Sequence, residues 1–587
     1  MQLLKTRLLV ALFSVLVYNL SAQSWQTKVH ESVFEALAQH TETEIIVVMR
    51  AQADVSAADN MFEKNDKGAF VYNTLTTTAS NTQKDLISFL NITKTAYTSM
   101  WLVNAVYLPH ATSALIEQIA AREEVAEIIN NPKSRREADI EVDNTAVSNF
   151  RTNVISWGIP KTKADSVWLL GYRGQNVVVG GADTGYDWLH PALNKKYRGT
   201  LANGTISHDY NWHDAIHLDT SVSKGNPCGY DIKAPCDDVS HGTHTMGSMI
   251  GSTDTIFTGM APDAKWVGAR NMDRGDGTLV RYVECWQWFI APTKIDGTSP
   301  NTSLAPHVIN NSWYCATTEG CNSSNFAVLN TALEKTRASG IVVVVSNGNA
   351  GPACNTTSGP PAFFKKAFSV GATQINDTIA GFSSRGNVTI DSSNRLKPEI
   401  SAPGAVVYSS IPNNGYAYYS GTSMAGPHVV GLVALMISAN PKLAGQVDTI
   451  ESIIKQTAKS LTTGAEKCGG VSSLSVPNNT YGYGRIDALA AVKRALKFVR
   501  TPTVEFTTQN FKLFPNPAND NLVVSCPLSV ALTYDITISN MAGQILSRQT
   551  KLSGLSNQIN IASLPSGVYL VSVSNSDGVS TQRFIKL

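Results

Sequence analysis

Between residues 151 and 500 the apolar residues come in short unbroken runs: Val177-Val178-Val179-Gly180-Gly181-Ala182, Trp266-Val267-Gly268-Ala269, Val308-Ile309, Ile341 to Val345 and Phe368-Ser369-Val370-Gly371. A strand with one face in water alternates apolar and polar positions, whereas a strand covered on both faces is apolar throughout. Helical runs at Asn330 to Ser339 and Met424 to Ser438 lie between or after these strands. The alternation predicts an α/β fold, a parallel sheet with helices on both faces and functional loops at the C-terminal ends of the strands.

The pattern changes on either side. Residues 23 to about 135 read as a small α+β unit: Glu44 to Met49 a strand, Asn81 to Leu90 a helix, Leu102 to Leu108 a strand, Ser113 to Arg122 an amphipathic helix and Val125 to Ile129 a last strand. A polar stretch, 131 to 150, follows as a linker. Beyond about residue 500, alternating strands at Leu522 to Ser525, Tyr534 to Ser539, Gln558 to Ile561 and Val568 to Val573, with a turn at Met541-Ala542-Gly543, predict a small β-sandwich. At the N-terminus, Lys5 and Arg7 precede the apolar run Leu8 to Val17 and the small-residue site Leu20-Ser21-Ala22. This is the layout of a secretory signal peptide, and its apolar run is well short of the roughly 20 residues of a membrane span. No later segment is expected to be long and apolar enough to span. The expected domains are therefore 1–22 signal peptide, 23–135, a linker at 136–150, 151–500 and 501–587.

Composition narrows the classes. The chain has 587 residues, enough for several cores, and a net charge of +2, which provides no field for nucleic acid or acidic lipid. Its eight cysteines, in a chain with an export signal and with no C-x-x-C pair, favour disulfides over metal. Close spacing makes Cys228 with Cys236, and Cys315 with Cys321, the expected staples. Seven of the eight precede residue 500, so there at least one stays free or pairs with Cys526.

The candidate chemistry centres on Gly421-Thr422-Ser423-Met424-Ala425-Gly426-Pro427-His428, where Ser423 stands between a glycine and an apolar helical run. A serine hydroxyl attacks a carbonyl only if a base removes its proton and fixed donors stabilise the oxyanion. Upstream, a strand runs into Asp183-Thr184-Gly185; a carboxylate there is compatible with a metal ligand, a turn former or an orienter of histidine. Ser240-His241-Gly242-Thr243-His244 puts His241 at a helix start, with His244 as its rival; the H-x-x-H spacing lacks the carboxylate of a helical zinc site. The apolar residues after Ser423 cover nearly the whole circumference of a helix, which should be buried.

The order Asp183, His241, Ser423 is that of subtilisin, not of chymotrypsin or the α/β-hydrolases. With D-T-G, H-G-T-H and G-T-S-M-A-G-P-H, residues 151 to 500 resemble the subtilisin-like serine peptidases. The stretches 270–278, 308–313 and 476–487 resemble the bacillopeptidase F-like branch. The resemblance implies a secreted endopeptidase acting on proteins or peptides through an acyl-enzyme, with Ser423 as nucleophile, His241 as general base and acid, and Asp183 as orienter. Aligning Gly348-Asn349-Ala350-Gly351 with the family's oxyanion stretch selects Asn349 as oxyanion donor over Asn347. It also implies that Ser312-Trp313-Tyr314 and Ser346-Asn347-Gly348 bind substrate, flanking the pocket for the residue before the cut; Trp313 and Tyr314 replace smaller residues there. No cofactor is required. Asp231, Asp237 and Asp238 read first as a solvated loop and second as a structural calcium site of the kind relatives carry. Residues 23–135 read as an independent domain or, from V-Y-N-T-L at 71–75 and W-L-V-N-A-V-Y-L at 101–108 followed by I-A-A-R-E-E-V-A-E-I at 119–128, resemble the family's inhibitory propeptides, which chaperone folding and lay their tail in the active site; Arg135-Arg136 in the linker marks a processing site or a solvated pair. The C-terminal segment, from Phe514-Pro515-Asn516-Pro517 to Arg583-Phe584-Ile585-Lys586-Leu587, resembles the sorting domains of type IX secretion, which implies export across both membranes, contact with that machinery, release or surface attachment, and no transmembrane anchor; a carbohydrate-binding or adhesive β-domain is the other reading. The alternatives for the whole chain are a non-catalytic surface protein that kept the fold and a sedolisin-like acid peptidase, which should lack H-G-T-H.

Overall fold

The structure, a computed structural model, describes residues 25–135, 140–141, 154–218, 225–315, 320–464, 467–499, 511–525, 533–552, 556–575 and 578–587. The expected signal peptide, Arg136, most of the 136–150 linker and Cys526 lie outside the described residues. The chain divides into two compact units, 1–498 and 499–587, each treated by itself.

At the centre of the first unit is a seven-stranded parallel sheet in the order Ile400–Pro403, Phe368–Thr373, Val342–Ser346, Val308–Asn311, Val178–Asp183, Lys265–Arg270, Trp212–Asp214. The apolar runs behave as strands buried on both faces. Val342 and Val344 enter the core beneath the helices His241–Ile250 and Thr422–Ala439, while Val343 and Val345 enter the core beneath Leu279–Ile290 and Phe326–Ala338. After Val178–Asp183 the chain lays Trp212–Asp214 at one edge, inserts Lys265–Arg270 between the two, then crosses to the other side of Val178–Asp183 with Val308–Asn311. That reversal opens a crevice at the C-terminal strand ends, where open α/β sheets place their ligands. Trp212–Asp214 and Ile400–Pro403 were not among the expected strands; the first is short and the second ends in proline, so neither carries a long apolar run.

The Thr422–Ala439 helix overturns one expectation. Its 18 residues have a mean hydropathy of 1.4, long and apolar enough to cross a membrane, yet 89% of it is buried inside the protein. It is a core helix, apolar all round because it is surrounded by protein.

The N-terminal α+β segment has a four-stranded sheet in the order Thr98–Met100, Ala105–Thr112, Glu42–Met49, Val125–Asn130. One face carries its own core of Val33, Ile45, Leu86, Leu108 and Ile119; from the other, Ile46, Met100 and Ile129 join Tyr282, Val283, Trp286 and Leu329 in one continuous core. Polar contacts fix the docking. Pro132 O and Asn131 Oδ1 accept the first free N–H groups of the Leu279–Ile290 helix, from Leu279 (3.3 Å) and Val280 (3.2 Å). Lys64 donates from Nζ to Ala305 O at 2.9 Å, and its burial, with Arg198 nearby, lowers its pKa to about 7.

The helix expected at Asn81 to Leu90 is two, Lys64–Thr82 and Lys84–Ile92, and the strand expected at 102–108 is displaced to Ala105–Thr112. The first helix is rich in threonine and asparagine, whose preferences hide it in sequence. Its hydroxyls turn back onto the helix, Thr76 to Tyr72 O (2.8 Å), Thr78 to Thr74 O (2.9 Å) and Thr82 to Thr78 O (2.8 Å), while Val71, Leu75 and Ala79 are buried.

The second unit packs two antiparallel sheets face to face, Lys512–Phe514, Asn521–Ser525, Ser556–Asn560 and Ile545–Leu552, Tyr534–Asn540, Gly567–Asn575, Gly578–Lys586. Leu522, Val524, Ile536, Ile538, Val571, Val573 and Phe584 form its core. The strand-rich sandwich agrees with the sequence pattern.

Candidate active site

Asp183 ends its strand fully buried. Its Oδ1 accepts Nδ1–H of His241 at 2.5 Å and the Thr184 N–H at 2.8 Å, and its Oδ2 accepts the Thr245 hydroxyl at 3.3 Å. A carboxylate on Nδ1 sets the tautomer of neutral His241, leaving Nε2 to accept a proton. His241 opens its helix because the preceding chain is turned sharply, with Ser240 at φ 76°, and because Gly242 lets the helix approach the 183–185 turn: a Cβ there would strike Gly185 O and lie 3.2 Å from Asp183 Cβ. Asp237 secures that junction. It accepts from Thr184 Oγ1 (2.8 Å), Thr243 Oγ1 (2.6 Å) and the N–H groups of Val239, Ser240 and Thr243 (3.2, 2.9 and 2.9 Å), although its burial raises its pKa above the usual carboxylate value.

Ser423 lies in the first turn of the Thr422–Ala439 helix, where the helix dipole favours negative charge, and is only 5% exposed. Its carbonyl accepts from Ser312 Oγ at 3.0 Å, tying the helix start to the end of the 308–311 strand. Asn349 faces the same turn, its Oδ1 accepting the N–H (2.9 Å) and hydroxyl (2.8 Å) of Thr422. Gly348, at φ 102°, donates to Thr422 Oγ1 at 3.2 Å and accepts from Ser384 N at 2.9 Å. The stretch 380–386 is therefore the clamp of the 348–351 loop: Ala350 N donates to Ser384 Oγ at 3.0 Å and Gly351 N to Phe382 O at 2.7 Å. Thr422 and Ser384 were missed as site residues. The signal in sequence was that Thr422 stands beside Ser423 in the G-T-S motif and that Ser384 lies in Ala380-Gly381-Phe382-Ser383-Ser384-Arg385-Gly386, a stretch that also fits the subtilisin-like pattern.

The substrate-binding candidates divide. Ser312 is buried at the strand end. Trp313 is 2% exposed, with its indole stacked on Tyr282 (centroids 3.6 Å, 3° between planes) and tilted against Trp286, so its side chain belongs to the core. Tyr314 is half-buried against Gly359. Ser346 is buried at its strand end, and Asn347 turns inward, donating to Thr357 Oγ1 (3.0 Å) and Ser384 O (2.7 Å). It therefore shapes the loop, while Asn349 faces Thr422.

His244, the rival to His241, is a core residue. Its Nε2 reaches Val407 O (3.1 Å) and Ala417 O (3.2 Å), its ring stacks on Tyr419, and burial, with His241 nearby, lowers its pKa to about 3. The solvated-loop reading of the aspartates holds only for Asp231, which pairs with His217 at 2.5 Å. Asp237 is taken up as above, and Asp238 is buried against Arg270 Nη2 at 2.8 Å. Among the described residues no group of three or more His, Cys, Asp or Glu is arranged to hold a metal ion. Among the described residues there are three disulfides, Cys228–Cys236 and Cys315–Cys321, as expected, and Cys354–Cys468, and among them Cys285 is free and buried.

A parallel α/β sheet with an Asp–His pair and a serine-headed helix at its switch point defines a class, and comparison with known proteins places the chain in it. Residues 174–484 match the subtilase family and residues 512–587 match the secretion system C-terminal sorting domain. The chain is 31% identical over 504 residues to Bacillopeptidase F of Bacillus subtilis (strain 168), covering 80% of this chain and 33% of that protein. It is 31% identical over 310 residues to Subtilisin DY of Bacillus licheniformis, covering 52% of this chain and 92% of that protein. To Subtilisin E of Bacillus subtilis (strain 168) it is 29% identical over 303 residues, covering 51% and 65%. The chain belongs to the subtilase family. It spans about a third of the length of Bacillopeptidase F. Its sorting domain marks it as exported, either secreted or held at the cell surface.

Proposed function

We propose that the chain is a secreted serine endopeptidase that cleaves peptide bonds in proteins through an acyl-enzyme on Ser423. The observation that carries this reading is the buried Asp183–His241 pair, 2.5 Å apart, at the sheet end where Ser423 and Asn349 lie. Ser423 Oγ attacks the substrate carbonyl while His241 Nε2 takes its proton. Asp183, bonded to Nδ1–H, orients the imidazole and stabilises its cation. The oxyanion receives hydrogen bonds from Asn349 Nδ2 and the Ser423 N–H. As the C–N bond breaks, His241 returns the proton to the leaving amine; water then attacks the ester carbon while giving a proton to His241, and His241 passes that proton to Ser423 Oγ as the C–Oγ bond breaks and the acid leaves. None of these steps requires a cofactor.

Residues 23–135 act as an inhibitory propeptide, cut within 136–150 before Ser423 can work. Two features support this. The segment shares a core with the peptidase domain, 151–500, and the chain leaving it pairs Ile140–Glu141 with Ser420–Tyr419, three residues from Ser423. The C-terminal domain engages the type IX secretion machinery and is removed or exchanged for an anchor on export.

The test is to treat propeptide-free protein with a fluorophosphonate probe and map the label by peptide mass, alongside casein digestion by Ser423→Ala. The label is expected on Ser423 and casein cleavage is expected to vanish in the variant. An unlabelled Ser423 with undiminished cleavage in Ser423→Ala would overturn the reading, and an unlabelled protein with no casein cleavage would favour a non-catalytic surface protein.

A further inference from the structure

We propose that the ring of Tyr314 occupies the pocket for the substrate side chain preceding the cut and restricts it to small residues, glycine and alanine. The proposal rests on the peptidase reading above, which puts 312–314 and 346–348 on either side of that pocket.

The two walls leave adjacent parallel strands, whose last pairing is Asn311 with Val345. Beneath them runs the segment 357–360, held by both: Asn347 Nδ2 donates to Thr357 Oγ1 at 3.0 Å, and Cys315 N donates to Pro360 O at 3.0 Å. Gly359, between these two anchor points, is thus the floor. The Tyr314 ring lies directly on it. A Cβ added at Gly359 would sit 3.0 Å from Tyr314 Cγ and 3.1 Å from Cε2, with Cδ2 closer still. Glycine is therefore what makes room for the ring, which takes the space a large substrate side chain would need.

Neighbouring side chains of the wall part company. Ser312 reaches the Ser423 carbonyl and Trp313 goes into the core, while the Tyr314 ring lies against Gly359. The backbone on both sides is pinned. Trp313 is locked by Tyr282 and Trp286, and Cys315 by its disulfide to Cys321 and its bond to Pro360. A large side chain can enter only by expelling the ring from Gly359, while alanine or glycine enters above it.

The experiment measures kcat/KM on succinyl-Ala-Ala-Pro-Xaa-p-nitroanilides with Xaa alanine, phenylalanine or leucine, using activated wild type, Tyr314→Gly and Tyr314→Ala. The wild type is expected to prefer alanine over phenylalanine by at least about tenfold, and both variants to raise the phenylalanine-to-alanine ratio by at least about tenfold. The ratio is taken within one preparation, so partial misfolding cancels, and either variant suffices if the other does not fold. A wild type that prefers phenylalanine or leucine, or an unchanged ratio in the variants, would overturn the proposal while leaving the peptidase reading intact. A wild type that cleaves no substrate and takes no fluorophosphonate label would overturn both.

Discussion

The side-chain oxygen of Asn349 accepts two hydrogen bonds from Thr422, one from its N–H and one from its hydroxyl. Since the oxygen of the amide faces Thr422, its NH2 is directed to the opposite side, and Thr422 becomes the residue that aims the proposed oxyanion donor. Asn349→Ala is expected to lower kcat by about 10²- to 10³-fold with a much smaller change in KM, the loss typical of removing one such donor in this class of enzyme. Thr422→Val keeps the shape and one of the two bonds, so its loss should be about tenfold. Steady-state kinetics on a chromogenic peptide check both.

The fit between the Thr422–Ala439 helix and the chain entering the peptidase core is tight at Gly158. A Cβ there would lie 2.8 Å from Cδ2 and 3.1 Å from Cε1 of His428, a buried ring whose Nδ1 bonds Met424 O at 2.9 Å. The ring cannot yield without losing that bond, so Gly158→Ala should destabilise by about 1–3 kcal/mol. Gly464→Ala, with no atom within 4 Å of the new Cβ, should leave the urea midpoint nearly unchanged.

Acid should destabilise the fold through its interior histidines. Burial lowers His244 and His307 to about 3 and His428 to about 4, from an ordinary value of 6.5. In the unfolded chain these rings take up protons as pH drops below 6.5, while in the folded chain they stay neutral. Their stabilisation is thus full above 6.5 and is lost as pH falls toward 3–4, by about 1.4 kcal/mol per pH unit for each ring. His428→Gln should flatten the fall in urea midpoint between pH 6.5 and 4.5. His217 has the opposite sign. Its hydrogen bond to Glu284, with a second to Asp231, raises it to about 9, so its contribution is full below 6.5 and lost as pH rises through 9, and Glu284→Gln should reduce that alkaline loss.

Cys354–Cys468 joins positions 114 residues apart, whereas Cys228–Cys236 joins positions 8 apart. Loop-closure entropy assigns the long bridge about 5 kcal/mol and the short one about 2.5 kcal/mol. The double alanine variant of the long pair should accordingly lower Tm about twice as far as that of the short pair in calorimetry.

Five of the seven strands of the sheet, the helix after the 308–311 strand, the serine-headed helix and the Asp–His–Ser order were legible in the residues, because strands buried on both faces are apolar without a break and because each reactive group sits in a short local motif. The two short disulfides were legible for a related reason, as neighbours in sequence are neighbours in space. Other features depend on contacts between distant segments and have no local signature. The helix Lys64–Thr82 holds through packing of Val71, Leu75 and Ala79 against its propensities; Cys468 found Cys354 only when the fold joined two loops; Asp237 and Asp238 look like a wet loop until Thr184, Thr243 and Arg270 close over them. The same division runs through the pocket. That Ser312-Trp313-Tyr314 borders the substrate was implied by sequence, but which of its aromatic rings enters the core and which lies on Gly359 was decided by Tyr282, Trp286 and a glycine 45 positions away along the chain, since direction is a property of packing.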